Sequence, residues 1–245
     1  MKRIIASMMM LCLTAAYAQE KTDTTLMQEV TVSNSKDNRA LRDQPLASTT
    51  IDTHEIISKG MHSMTDLASY VPNLFIPAYG SRQTTAIYMR GVGSRINTPA
   101  VGLYVDDILW ADKSAYDFDI SDVQSIDILR GPQSTLYGRN AMGGLIRIST
   151  KNPLDYQGTD INLQGATYGT ARASATHYHR ISSRLGFSGG FGYAHSEGYF
   201  TNHYNDKKAD RDDEANARFR LVAKPTDVVR LDFHANYEYS RQGAY

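Results

Sequence analysis

Cysteine is almost missing from this sequence. The only one, Cys12, sits in the first apolar stretch of a 245-residue chain. Beyond that stretch a disulfide framework, a zinc thiolate site and a thiol nucleophile are therefore excluded. Net charge is missing too, with 26 basic side chains against 26 acidic ones. That balance argues against a general nucleic-acid binder, because neutralising phosphates takes a basic surplus. No apolar run reaches the roughly 18 residues of a spanning helix; the longest, Ile4 to Ala18, is short and interrupted by polar residues. There is no Walker lysine motif and no H-E-x-x-H, and the chain is read as a non-enzyme. A hydrophobic content of 41% argues against a disordered chain. None of these absences touches a β-barrel, whose alternating strands escape hydropathy.

Lys2 and Arg3 precede the apolar stretch Ile4 to Ala16, and Ala16-Tyr17-Ala18 supplies the small residues of a cleavage site before Gln19. Residues 1–18 read as a secretory signal peptide. Cys12 leaves with it, and loss of Lys2 and Arg3 takes the basic count from 26 to 24 against 26 acidic groups. Residues 19–42 are polar and read as a flexible tail. One β-branched island interrupts it, Glu29-Val30-Thr31-Val32-Ser33.

From residue 43 to 153 helical and strand signals mix. Thr53 is placed to cap a helix from His54 to Lys59 that stops at Gly60. Ser63 with Asp66 forms a capping box for a second helix, whose Met64, Leu67, Ala68 and Val71 share a face before Pro72. Four β-rich runs follow, Thr85 to Arg90, Ala100 to Val105, Ser125 to Leu129 and Leu145 to Thr150. Between the last two, Pro132 suits a first helical turn and Gly138 its end. The reading is a small α/β domain of about four strands.

After Tyr156 the period changes to two. Ile161 and Leu163 alternate with Asp160, Asn162 and Gln164; Ala171, Ala173 and Ala175 with Arg172, Ser174 and Thr176. Leu185, Phe187, Phe191 and Tyr193 alternate with Gly186, Ser188, Gly190 and Gly192, and Ala215, Ala217, Phe219 and Leu221 with Asn216, Arg218 and Arg220. Last come Val229, Leu231, Phe233, Ala235 and Tyr237 against Arg230, Asp232, His234, Asn236 and Glu238. Five segments of about ten residues have the length a tilted strand needs to cross a bilayer. Of the four connections, Tyr168-Gly169, Ser182-Ser183, Ser196 to Asp213 and Pro225-Thr226, only the third is long; outer-membrane barrels alternate short periplasmic turns with longer external loops, so a first strand starting in the periplasm puts the first and third outside. Tyr168, Tyr193, Tyr237 and Tyr239 fall near one end of the strands, where an aromatic girdle belongs.

The run Arg130 to Lys151, RGPQSTLYGRNAMGGLIRISTK, resembles the plug domain of TonB-dependent outer-membrane receptors, with the family pattern at Arg130, Gly131, Pro132, Tyr137, Gly138, Arg139, Asn140, Gly143 and Gly144. Tyr88 to Gly93, containing Arg90 and Gly91, is similar to the family's earlier strand end, and Pro99 to Asp106 to its following strand. Ser134 and Asp107 stand where the family often has glycine. The Glu29 to Ser33 island is similar to a TonB box and sits where the family places one.

The resemblance implies an α/β plug over residues 43–153 followed by antiparallel transmembrane β-barrel strands over 158–245. It also implies energy-coupled uptake of a large scarce solute, of which an iron-siderophore complex is the family's commonest cargo. The implied partners are the TonB protein at Glu29, Val30, Thr31, Val32 and Ser33, outer-membrane lipid and the iron chelate, without nucleic acid or a resident cofactor. The implied location is the outer membrane of a Gram-negative bacterium. A plugged transporter takes about 22 strands, roughly 220 residues in strands alone. Residues 158–245 leave room for about five, so the chain is expected to be an N-terminal fragment with an incomplete barrel, unable to transport by itself.

Arg90, Arg130, Arg139 and Arg147 carry forked donors suited to carboxylates on a barrel wall; pairing within the plug, or facing solvent, is the alternative. His177 and His179 lie two apart on one strand face, a spacing open to chelation but read here as non-metal. Asp117, Asp119 and Asp122 mimic the start of a calcium loop without its glycine or closing glutamate, and read as a solvated loop. Asp206 to Glu214 reads as an exposed loop. The rival reading is a soluble periplasmic binding or regulatory module on the plug fold, which requires a charged outward face on the strands from Asp160 onward.

Overall fold

The computed structural model describes residues 47–243 apart from 78, 80–83, 97, 113–114 and 205. The expected leader and the Glu29 to Ser33 segment lie outside the described residues.

The first domain is a five-stranded sheet in the order β1 (Ala47–Asp52), β7 (Val123–Arg130), β8 (Gly144–Thr150), β5 (Val101–Val105), β6 (Ile108–Trp110). Only the β5–β8 pair is parallel. That pair lies inside the sheet, and every residue of β5 is buried, as expected for a strand covered on both faces. Ile126 and Ile128 of β7, Ile146 and Ile148 of β8 and Leu103 of β5 form the core. A smaller sheet of β2 (Leu74–Phe75), β3 (Tyr88–Met89) and β4 (Val92–Gly93) adds Leu74 and Met89 to it.

Helix α1 (Thr53–Ser58) is capped by Asp52 rather than Thr53: the Asp52 carboxylate accepts from the Glu55 amide at 2.8 Å. Thr53 instead donates its hydroxyl to the Gln124 carbonyl at 2.9 Å. The second expected helix is a 3-10 helix, Met64–Ser69, in which Asp66 accepts from the Ser63 amide at 3.0 Å. Its Met64 and Leu67, with Val71 beyond it, are buried on the side that faces the sheet. Pro132 is not in a first turn. Helix α2 is Ser134–Tyr137 with Gln133 as its N-cap, and Gly138 follows as the C-cap at φ 74°.

Sequence reading missed β1 and β6. Strand β1 has a single fully buried apolar residue, Ile51, and sits half-exposed at a sheet edge. The three-residue β6 returns from β5 over the two-residue turn Asp106-Asp107, with Val105 opposite Ile108. Both turn residues have positive φ, 47° and 67°, the geometry of a type I′ hairpin turn. Aspartate tolerates that region, which is how Asp107 fills a position where glycine is common. The expected strand Thr85 to Arg90 shrinks to Tyr88–Met89, and Arg90-Gly91 turns the chain with φ of 52° and 79°.

The second sheet has five long antiparallel strands in sequence order: β9 (Gly158–Ala166), β10 (Thr170–Ser182), β11 (Leu185–Ser196), β14 (Asp212–Ala223) and β15 (Leu231–Gln242). The alternation predicted all five; the last begins at Leu231 instead of Val229, and β14 begins earlier than expected, at Asp212. A two-rung hairpin, β12 (Thr201–Asn202) and β13 (Lys207–Lys208), stands in the long connection between β11 and β14. The connection is anchored by Asp210, which accepts from the Tyr199 and Phe200 amides at 2.8 Å each. The sheet is open: β9 and β15 each pair on one side only among the described residues.

Candidate functional site

The two faces of the long sheet differ as the period demands. One carries Ile161, Leu163, Phe191, Tyr193, Phe219, Leu231, Phe233, Tyr237 and Tyr239, all exposed. Large and small residues alternate across the strands on that face. Phe191 stands between Ala175 and Ala217, Tyr193 between Ala173 and Ala215, and Phe219 between Gly189 and Ala235. The alanines of β10 and β14 thus give Phe191 and Tyr193 lateral room, and Gly189 with Ala235 does the same for Phe219. Along the middle of the strands this face is apolar and carries no carboxylate, lysine or arginine, with Asp213 and Arg241 only at its Tyr193 end; a soluble module requires a charged face instead.

The opposite face meets the first domain through ion pairs. Arg218 and Arg220 are two apart on β14, so the pleat points both inward. Arg218 donates to the Asp122 carboxylate at 3.0 Å, the Ser121 hydroxyl at 2.7 Å and the Asp119 carbonyl at 3.1 Å. Asn216, one inward position earlier, reaches the Asp119 carboxylate at 3.3 Å. Arg220 meets the Thr150 hydroxyl at 2.6 Å and the Asp106 carboxylate at 3.3 Å. On its other side it forms a two-pronged pair with Asp232 of β15 at 2.9 and 2.8 Å. Asp106 in turn accepts from the amide and hydroxyl of Thr150, at 2.9 and 2.6 Å, so the hairpin turn, the end of β8 and the sheet are tied at one point. Arg220 and Asp106 side chains are each 8% exposed, and pairs at that depth carry large consequences when one partner is removed.

Three further contacts fix the link between the domains. Lys151 pairs with Asp160 at 2.6 Å, Arg180 donates to the Leu154 carbonyl at 3.2 Å, and Tyr156 packs edge-on against Tyr178 at 5.1 Å between centroids. A Cβ on Gly186 would lie 3.0 Å from the Pro153 carbonyl oxygen, so the first domain is seated against bare backbone there. Nearer the Ser196 end of β11, a cavity of about 510 Å³ separates His62, Ser63, Thr65 and Asp119 from inward residues including Arg172 and Asp212. Burial, with Arg172 nearby, lowers the pKa of the His62 imidazole that faces this space.

The arginines singled out from sequence do other work. Arg130 binds the Ala47, Ser48 and Pro72 carbonyls, and Arg147 pairs with Asp107 at 3.4 Å, all within the first domain. Arg90 lies beside Gly131, its Nη1 3.5 Å from where a Cβ would stand. Arg139 follows the α2 cap. The polarity of the docking contact is thus the reverse of the expected one, with cations on the wall and carboxylates on the docked domain. Asp119 and Asp122, expected in a solvated loop, are those carboxylates. Burial pushes the Asp122 carboxyl up, and Arg218 draws it part of the way back.

The remaining motif residues shape the first domain. Tyr137 is buried, and its carbonyl accepts from the Tyr104 hydroxyl at 2.8 Å. Asn140 takes a positive φ of 64°. The Gly143 amide donates to the Ala100 carbonyl at 2.9 Å. Gly144 sits at φ 156°, where a Cβ would lie 2.1 Å from Met89 Sδ and 2.5 Å from the Leu129 carbonyl oxygen; no other residue fits.

His177 and His179 stack at 6.1 Å on the apolar face, against Phe187. A string of the pattern G-x-S-x-G, which the reading as a non-enzyme passes over, occurs at Gly186 to Gly190. It lies in mid-strand, with no strand-to-helix elbow to present Ser188 as a nucleophile.

The profile of the TonB-dependent Receptor Plug Domain family matches residues 40–145. Over 140 residues the chain is 35% identical to the pesticin receptor of Yersinia enterocolitica, covering 56% of this chain and 20% of that one. It is 28% identical over 159 residues to the catecholate siderophore receptor Fiu of Escherichia coli K12, covering 60% and 20%. Among solved structures, the ferric yersiniabactin uptake receptor FyuA of Yersinia pestis superposes with a TM-score of 0.71 at 26% identity, over 80% of this chain and 32% of that one. The closed form of Fiu gives 0.69 at 18% identity, over 84% and 28%.

A mixed sheet with its helices, seated by ion pairs on the polar face of long alternating strands, defines a plug docked on a barrel wall. Residues 40–145 match the plug domain of TonB-dependent receptors, and the long antiparallel strands that follow resemble the barrel strands of such a receptor. The chain spans about a fifth of the length of the curated relatives it matches.

Proposed function

We propose that this chain forms the plug and part of the wall of an outer-membrane importer that takes up a large scarce solute, an iron-siderophore complex, with energy delivered by TonB. The observation that carries the reading is the docking contact itself. A plug held through Arg218 and Arg220 to Asp106, Asp119 and Asp122 is held by polar pairs, which water can replace when the plug moves. The apolar face supports residence in lipid, with Tyr193, Tyr237 and Tyr239 as an interfacial girdle at the outer end. An unpaired strand edge is untenable in hydrocarbon, so the proposal requires further strands beside β9 and β15. The outer membrane has no ATP, and Glu29 to Ser33 is proposed to pair with TonB as an added strand, held by main-chain hydrogen bonds.

The test is uptake of radioactive iron, supplied as ferric yersiniabactin and as ferric enterobactin, by cells in which a receptor carrying this plug replaces the native ones. Uptake of either complex that is lost when the tonB gene is deleted supports the proposal; equal accumulation with and without TonB sinks it.

A further inference from the structure

Strand β1 is the edge of the plug sheet. It pairs with β7 over six residues and with no other described strand. It is also the described element nearest in sequence to Glu29–Ser33. At its start, Arg130 reaches across from the last residue of β7, and Nε and Nη2 donate to the Ala47 and Ser48 carbonyls at 3.4 and 3.2 Å. Its third nitrogen, Nη1, donates to the Pro72 carbonyl at 3.3 Å. Opposite the middle of β1, on the neighbouring β7, Asp127 Oδ1 accepts from the Thr50 hydroxyl at 2.8 Å. Asp127 is 1% exposed, and its Oδ2 has no hydrogen-bond partner. A buried carboxylate oxygen without a donor is costly, and it regains water once the strand beside it leaves.

We propose that Arg130 and Asp127 form an opposed latch on β1: the guanidinium holds the first two residues of the strand, while the carboxylate opposite Thr50 favours its detachment. Strand β1 is then the first piece of the plug to peel when the N-terminal segment is pulled. The importer reading enters only as the source of the pull; the latch is a property of the folded chain.

The groups facing Asp127 are Thr50 from β1, Arg147 from β8, which also pairs with Asp107, and Tyr137 from α2. Burial pushes the Asp127 carboxyl up, with the Thr50 hydrogen bond and Arg147 drawing it back. A carboxyl raised in the closed state binds protons better there than in the peeled state. Closure is therefore fully favoured below the ordinary carboxylate range and weakens as pH rises through the raised value.

The experiment is hydrogen exchange read by mass spectrometry on the full chain, comparing peptides of β1 with peptides of β8 and correcting for the intrinsic pH dependence. Asp127→Asn keeps an acceptor for Thr50 and removes the charge, so β1 exchange slows by about threefold and its residual pH dependence disappears. Arg130→Gln speeds β1 exchange by about tenfold and leaves β8 unchanged. Thr50→Val, which keeps the strand's shape, speeds β1 exchange if Asp127→Asn does not fold. Faster β1 exchange in Asp127→Asn, unchanged exchange in Thr50→Val, or β1 and β8 moving together in Arg130→Gln overturns the latch. Failure of TonB-dependent uptake leaves these exchange patterns as they are, so the two readings fail separately.

Discussion

Arg218 and Arg220 share one face of β14 but not one role. Every hydrogen bond of Arg218 goes to the plug, to Asp119, Ser121 and Asp122. Arg220 divides its guanidinium between the plug and Asp232 of the neighbouring wall strand. When plug and wall separate, Arg220 keeps its hydrogen-bonded carboxylate, whereas Arg218 loses all of its hydrogen bonds and keeps Glu238 of β15 only as a nearby charge, which makes Arg218 the costlier pair to break. Arg218→Met leaves two half-buried carboxylates without their cation and is expected to cost about 3 kcal/mol in urea unfolding of the folded chain. It also removes the group that draws Asp122 down, so the Asp122 carboxyl titrates at higher pH in the variant, as a carbon NMR titration reads directly. Gly144→Ala is expected to cost about 3 kcal/mol or more, because the added methyl meets Met89 and the Leu129 carbonyl oxygen at a backbone angle only glycine adopts. A denaturation midpoint within error of the parent chain counts against that account of the glycine pair.

At the scale of elements, what was legible depended on how long a pattern lasted. The five wall strands were visible because period two persists over 9 to 13 residues in each, and the large-small pairing across them was implicit in the alanines of β10. The capping box at Ser63 and the stop at Gly138 were visible because each is a local rule. Strand β1 was not, since a six-residue edge strand with one buried apolar side chain has no alternation to read. In the sequence the docking arginines stand out only as polar positions of a strand. Their partners lie 96 to 99 residues away for Arg218, and no spacing in the sequence joins them. The wall makes its own prediction: Phe191→Arg on the face proposed to meet lipid is expected to cost about 2–4 kcal/mol of folding stability in a bilayer, with Ser188→Ala on the plug side near neutral. Equal effects at the two positions contradict the assignment of faces.

For the whole molecule, the described residues join a plug to five wall strands through a contact made mostly of charge. The sequence motifs point to the plug domain that residues 40–145 match, while the polarity of that contact, with cations on the wall, emerges only from the fold. The central claim is that this plug is pulled from its wall by a partner that grips Glu29–Ser33. The most direct measurement deletes those five residues and compares binding of ferric yersiniabactin at the cell surface with its uptake. The account predicts unchanged binding and loss of uptake to the level of cells without TonB. Uptake that continues undiminished after the deletion contradicts it.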